Sequence, residues 1–321
     1  MKIPHGLVAG VAAVMLASSA AAQEYPRRPI RVIVSVPAGG TPDVTARLIA
    51  PALSGLLGQQ LVIDNRGGAG GLIGAELAAK SAPDGYTLLV SSAGALTILP
   101  HLRAVPYDTV KDFAPISLIS SGPFLLMSHP SVPVKSVPEL IALARAQPGK
   151  LNYASAGNGA PNHLAMELFK SMAGVNITHV PYKGAPQAVT DLLAGHMNLG
   201  FNSIAPTLQH IRAGRLRGLG LASAKRSAQL PDVPTISEAG VPGFEAANWF
   251  GMFAPAKTPK RIITRLNGAL VQVVRAPDIR SQFEALGADP VGSSPEEFAT
   301  FIRRETEQYA KVVKISGAKL D

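Results

Sequence analysis

Two strand-to-helix junctions carry the residues best suited to chemistry in this sequence. Pro37-Ala38-Gly39-Gly40-Thr41 and Ala156-Gly157-Asn158-Gly159-Ala160 each interrupt an apolar run with glycines and lead into a helix opened by proline, at Pro42 and Pro161. Glycine permits left-handed backbone angles, so successive N–H groups can converge on one point. A helix N-terminus adds unsatisfied donors and about half a positive charge, enough to hold a carboxylate or phosphate without a cationic side chain. Either loop taken singly reads better as a tight turn. As a matched pair on facing lobes, they point to one anion gripped from two sides.

Catalytic patterns fail on named residues. Ser155 lies in Tyr153-Ala154-Ser155-Ala156-Gly157, with tyrosine where a nucleophile elbow needs glycine. In Gly68-Ala69-Gly70, Ile73 stands where a dinucleotide fingerprint wants its third glycine. Gly149-Lys150 lacks both the earlier glycine and the following Ser or Thr of a P-loop. His163 and Glu167 share a helix face without the second histidine of a zinc-hydrolase motif, so His163 reads as a solvated or cleft-lining histidine. No cofactor or metal is expected.

The elements that must position these loops form one pattern used twice. A β-branched strand over 30–36, a helix from Thr41 as N-cap to about Leu57, a strand over 60–64, a helix over 72–80 and a strand over 86–91 make βαβαβ, which implies parallel strands. Val44, Leu48, Ala52 and Leu56 are the expected apolar face of the first helix. A strand over 151–155, a helix from Pro161 to about Met172, a strand over 176–180, a helix through Leu193 and a strand over 197–202 repeat the order. Two α/β lobes, one inserted in the other, place a cleft at the carboxyl ends of two sheets, where such sheets bind ligands. The extended stretch 115–129 leaves the first lobe, and 216–222 and 249–255 are the candidate returns. Helices follow over 259–275 and 279–286, and Ser294-Pro295-Glu296-Glu297 opens the last with a capping box.

Composition bounds the remaining possibilities. At 321 residues the chain exceeds the usual single core. With no cysteine, disulfides, thiol catalysis and a lipid-anchored N-terminus are excluded. Lys2 followed by the uncharged run 7–20 and Ala20-Ala21-Ala22 reads as a cleaved export signal over 1–22, and its removal takes the formal charge from +9 to +8 through the loss of Lys2. A free periplasmic protein, not a membrane-anchored one, is expected. The positive balance suits a field that attracts small anions or serves solubility alone. It lacks the dense basic runs with interleaved aromatics of a nucleic-acid binder. Aromatic residues at 5% disfavour a sugar-stacking cleft.

Nearly the whole mature chain resembles the Bug family, the periplasmic receptors associated with tripartite tricarboxylate transporters. The stretches that carry the likeness are Tyr25-Pro26 with Pro29-Ile30-Arg31, Val36-Pro37-Ala38-Gly39-Gly40 with Asp43, Pro83-Asp84-Gly85-Tyr86-Thr87, 151–163 (LNYASAGNGAPNH), Val180-Pro181-Tyr182-Lys183-Gly184, 224–240 (AKRSAQLPDVPTISEAG), and Trp249-Phe250-Gly251 followed by Phe253-Ala254-Pro255. The resemblance implies a periplasmic-binding-protein fold of the type II, Venus-flytrap kind, with a small carboxylate buried between two α/β lobes. It assigns residues 23–122 and 226–321 to the first lobe and 123–225 to the inserted second. It carries ligand binding to Pro37, Ala38, Gly39, Gly40 and Asp43 in the first lobe and to Ala156, Gly157, Asn158, Gly159 and His163 in the second. Ser92, Ala93, Tyr182, Lys183, Gly184 and Asn202 complete the implied cleft. The first loop here is smaller than in the family, which commonly has a bulky residue or a second proline before its glycines. Asn202 follows Phe201 where the family often has aspartate, and asparagine lacks the charge to pair with a ligand ammonium. That favours dicarboxylates, hydroxy acids or aromatic carboxylates over amino acids.

Three functions compete. A monomeric transport receptor would pass its ligand to the membrane components of a tripartite tricarboxylate-type transporter. A free sensor would present the same ligand to a signalling partner. An exported hydrolase would need a catalytic motif, and each candidate in the chain lacks a required residue.

Overall fold

The computed structural model describes residues 25–182, 184–204 and 206–318; the export signal expected over 1–22, and Lys183, lie outside them. Strand β1 (Ile30–Val34) is followed by helix α1 (Thr41–Leu57), β2 (Leu61–Asn65), α2 (Leu72–Ala79) and β3 (Thr87–Ser92). β1 pairs in parallel with β2 on one side and β3 on the other, the βαβαβ arrangement expected from the alternating pattern. A π-turn over Gly94–Ile98 and the short helix α3 (Leu99–Leu102) lead to β4 (Phe113–Ser128).

The inserted half contains α4 (Val137–Ala146), β5 (Asn152–Ser155), α5 (Pro161–Ala173), β6 (Thr178–Pro181), α6 (Ala185–Leu193), β7 (Leu199–Ser203), α7 (Leu208–Arg212) and β8 (Arg217–Leu221). β5 pairs in parallel with both β6 and β7. The chain returns through β9 (Ala247–Pro255) and closes with α8 (Lys260–Arg275), α9 (Pro277–Ala285), β10 (Asp289–Pro290) and α10 (Pro295–Ser316). The strand order is β2-β1-β3-β9-β4-β7-β5-β6, with β8 and β10 also on β4. β4 therefore belongs to both halves: its residues from Phe113 to Pro123 run antiparallel to β9, and Phe124 to Ser128 run antiparallel to β7.

Alternation along the strands divides the interior into layers. Val32 and Val34 face a core completed by α1 and α8, while Ile33 joins Trp249, Phe253 and Phe298 on the other face. In the second lobe Leu126, Tyr153 and Phe201 pack on one face, and Leu125 and Met127 on the other. Leu164 of α5 instead joins the core that holds Trp249 and Tyr309, so this helix bridges the two lobes.

Several expectations are corrected. The N-cap of α1 is Gly40, in extended conformation, and Thr41 is the first helical residue. Its buried face is Ala46, Ile49, Ala50, Leu53 and Leu57; Leu56 is exposed, and Val44 and Leu48 are only half-buried. Small apolar residues occupy both stripes, and packing against α8 selects the second. The stretch expected as a possible return at 216–222 is β8, which pairs with the second-lobe end of β4, at Leu125–Leu221 and Ser128–Arg217. Beyond it, Ile236, Val241, Phe244 and Ala246 pack into the second core, so that core extends further along the chain than residue 225.

Candidate functional site

Between the lobes lies a cleft of about 650 Å³. The first lobe lines it with Gly39, Thr41 and Val44 at the start of α1, and the second with Ala156, Pro161 and Asn162 at the start of α5. Ala185, Pro186, Val189, Thr190 and Leu193 of α6 form one wall. The strands that join the lobes supply the floor, through Gly122 and Phe124 of β4 and Asn248 and Phe250 of β9. Asn202 and Ser203 of β7, Pro206, His210 of α7, and Leu286 to Ala288 after α9 complete it.

Three helices thus begin at the cleft, and their starts share one construction. Gly40, Ala160 and Gly184 are the N-caps of α1, α5 and α6; none contributes a side-chain cap, and each helix has proline in its first two positions. The opposite construction occurs at α10, where Ser294 and Glu297 form a reciprocal capping box. An uncapped helix start leaves N–H groups for an external acceptor. Thr41 and Asn162 line the cleft, and among the described residues neither N–H finds a partner within the protein.

The glycine N–H groups themselves are mostly engaged internally. Gly39 N–H donates to Asp43 Oδ2 at 2.8 Å, and Gly40 N–H to the Pro37 carbonyl at 3.2 Å. Asp43 is 2% exposed and also accepts from Arg47 and from Asn65 Nδ2 at 2.9 Å. Burial opposes its ionisation, but the hydrogen bonds from Arg47, Gly39 and Asn65 outweigh it and hold the carboxyl below its ordinary range. In the second loop Ala156 N–H reaches Asn162 Oδ1 at 3.2 Å, Gly157 N–H reaches Ser155 Oγ at 3.1 Å and Gly159 N–H reaches His163 Nδ1 at 3.0 Å. The convergent nest of free loop donors expected from sequence is therefore replaced by internally braced loops, whose adjoining helix starts carry the open donors.

Of the residues singled out in sequence, Gly39, Ala156 and Asn202 line the cleft. Pro37, Ala38, Gly40 and Gly157 belong to the same loops and shape them: a Cβ at Gly40 would meet Val36 Cγ2 at 2.8 Å, and one at Gly157 the Tyr182 carbonyl at 3.2 Å. Ala93 is fully buried behind Ser92, and a Cβ at Gly94 would stand 3.8 Å from Pro161, so the end of β3 approaches α5 across the lobes. Tyr182 donates its hydroxyl to Asp191 Oδ2 at 2.7 Å, which fixes the entry to α6 behind Gly184. Asn202 Oδ1 accepts from Ser203 N–H at 2.9 Å, and among the described residues its Nδ2 finds no partner. Asn158 and His163 instead line a separate recess with Glu167, Lys170 and His179.

Sequence reading placed Thr41 at the end of the first loop but missed Asn162, the α6 wall, His210, Asn248 and Phe250. A signal for α6 existed, because Gly40-Thr41-Pro42, Gly159-Ala160-Pro161 and Gly184-Ala185-Pro186 repeat one Gly-x-Pro pattern at the three starts. Asn248 and Phe250 carry no local signal, since only the β4–β9 pairing brings them to the floor.

Among the described cleft-lining residues none is Asp, Glu, Lys or Arg, no group of three or more potential metal ligands occurs, and no helix is long and apolar enough to cross a membrane. Two α/β lobes joined by paired strands, with helix starts opening on the cleft between them, define a solute-binding receptor of the periplasmic-binding-protein class. A family profile described as "Tripartite tricarboxylate transporter family receptor" (TctC) matches residues 45–318, and the chain belongs to that family. Protein BugT of Bordetella pertussis is 40% identical over 315 residues, covering 97% of this chain and 96% of that protein. The structure described as R. palustris Rpa4515 with adipate is 39% identical, with a TM-score of 0.78 over 92% of this chain and 99% of that one. MatC (Rpa3494) from Rhodopseudomonas palustris with bound malate is 33% identical, with a TM-score of 0.74 over 90% of this chain and 100% of that one.

Proposed function

We propose that this receptor works outside the cytoplasmic membrane as a monomer. It captures a small carboxylate (a dicarboxylate, hydroxy acid or aromatic acid) and delivers it to the membrane components of a tripartite tricarboxylate-type transporter. The observation that carries the reading is the convergence of three helix starts without side-chain caps on a cleft whose described lining holds no charged side chain. Such a site compensates a negative charge with backbone dipoles and neutral donors, and its described lining offers a cation no carboxylate. The apolar α6 wall, with Pro186, Val189 and Leu193, suits a carbon skeleton behind the carboxylate. The adipate and malate in the two similar structures support the same class of ligand.

Mass spectrometry of material released from the purified protein, followed by thermal melts with that compound, adipate, malate and benzoate, tests this. Unaltered carboxylate should be recovered. The bound form should gain about 2.7 kcal/mol of stability at a hundredfold excess over the dissociation constant. A folded protein that no carboxylate stabilises, or one that converts its ligand with saturating kinetics, would overturn the reading.

A further inference from the structure

The two loops at the cleft are braced from behind in the same way. Gly39 donates its N–H to Asp43 and Gly159 donates to His163, in both cases four residues on and within the first turn of the helix. Both glycines have left-handed φ, 84° and 72°, and both acceptors are buried. One geometry is therefore built from two chemistries: a carboxylate locked by Arg47 and Asn65 in the first lobe, and an imidazole in the second.

An imidazole nitrogen accepts a hydrogen bond only while unprotonated, so this contact requires His163 neutral, with its proton on Nε2. The surroundings enforce that form. The ring lies face to face with His179 of β6, centroids 3.9 Å apart and planes 10° from parallel, and Tyr153 of β5 stacks beyond. His179 Nε2 is in turn joined to Ser155 Oγ at 2.6 Å. On α5 itself, Glu167 Oε1 is 4.0 Å from His163 Nε2 and accepts from Tyr153 Oη and Lys170 Nζ, both at 2.6 Å. Among the described residues, Asn158 and the α10 end, Ser316 to Ala318, border the remaining side and bring no ionisable side chain. Burial first, then the neighbouring His179 and Lys170, push the His163 pKa down to about 3, so the brace persists throughout the neutral range.

We infer that His163 is a positioning residue for the ligand site: its Nδ1 lone pair holds Gly159 N–H inward and thereby sets the start of α5, at which Asn162 faces the cleft. The ring itself stays out of the cleft. This rests on the carboxylate reading above, and the test separates the two.

In the ligand-free protein, nitrogen NMR should find the Nε2–H tautomer at His163; the Nδ1–H tautomer would overturn the inference. His163→Phe keeps the ring stack and removes the acceptor. Gly159 amide exchange should then quicken about fivefold to tenfold while Gly39 exchange stays unchanged. Adipate, used as the probe, should bind at least about fivefold more weakly. His163→Asn, whose Oδ1 stands where Nδ1 does, should restore both within about twofold. Unchanged Gly159 exchange in a folded Phe variant, unchanged adipate affinity despite faster exchange, or no rescue by Asn would each refute the brace. If the Phe variant does not fold, the tautomer and the Asn variant's Gly159 protection decide. A parent protein that ignores adipate counts against the carboxylate reading for that probe, and the exchange data still judge His163.

Discussion

Gly39 shows how one residue serves conformation and access together. Its φ is 84°, and nothing lies within 4 Å of the place a Cβ would take. A Cβ there meets no neighbour but strains the backbone, and a larger side chain would extend from a residue that lines the cleft. Gly39→Val should therefore weaken adipate binding at least about tenfold and lower stability by roughly 1–3 kcal/mol, as expected for a β-branched residue in the left-handed region. Titration calorimetry and urea melts check the two effects separately. Glu305 makes a second case, remote from the cleft. It accepts from Trp249 Nε1 at 3.0 Å, and burial raises its pKa from 4.5 to about 7. The folded state then holds a proton that the unfolded state releases, so the contribution of this group to stability is full below about pH 4.5 and is lost as pH rises to about 7. Glu305→Gln should flatten this decline and exceed the parent by up to about 3 kcal/mol above pH 7. Melts across pH 4 to 8 give the comparison. At this scale the sequence showed which backbones were special but not what their N–H groups do. Glycine at positions 39 and 159 is a local signal, whereas the reach of Asp43 and His163 back to them depends on side-chain rotamers that spacing alone does not choose.

Helix starts repeat the same logic at the level of elements. α4 and α10 are capped by Ser136 and Ser294, and the three helices at the cleft are not. Ala160 has the extended conformation of an N-cap, φ −64° and ψ 150°, so it accepts a polar replacement without strain. Ala160→Ser should raise stability by roughly 0.5–1 kcal/mol. The new hydroxyl would occupy the donors at the start of α5, so adipate affinity should fall in the same variant. A stabilised protein with undiminished affinity would show that these donors do not hold the ligand. The order and type of elements were largely legible, because β-branched runs, Gly and Pro breaks and the Ser294 capping box are all local. The buried face of α1 was not. Its residues offer two apolar stripes of equal period, and contact with a helix two hundred residues away selects between them.

At the scale of the whole molecule, β4 and β9 are, among the described residues, the strands that run from one lobe to the other as a pair, with irregular register between Pro115 and Ser117 and between Leu118 and Ser120. We expect a hinge there, with closure swinging α5 and α6 toward α1 around bound carboxylate. Scattering at saturating adipate should give a smaller radius of gyration than the free protein, and identical profiles at proven saturation would rule the motion out. Two lobes and their parallel sheets could be read from the repeated βαβαβ order. The outward crossing was legible in the extended stretch 115–129, but the return was not, since β8 and β9 both read as apolar strands and only a distant partner distinguishes them.

The shared strand also favours an order of assembly. The second lobe is built from one continuous stretch, from Phe124 to Ala246, whose ends meet where Phe124 and Ala246 both bond to Ala222. The first lobe must join strands from opposite ends of the chain, a closure whose entropic cost grows with the length of the intervening loop. Once the inner lobe has formed, that loop is already compact, and β4 and β9 emerge from it side by side. Completing the outer lobe with β9 is thus least costly once the inner lobe has formed, and a growing chain can hold a finished second lobe while β9 of the first is still being made.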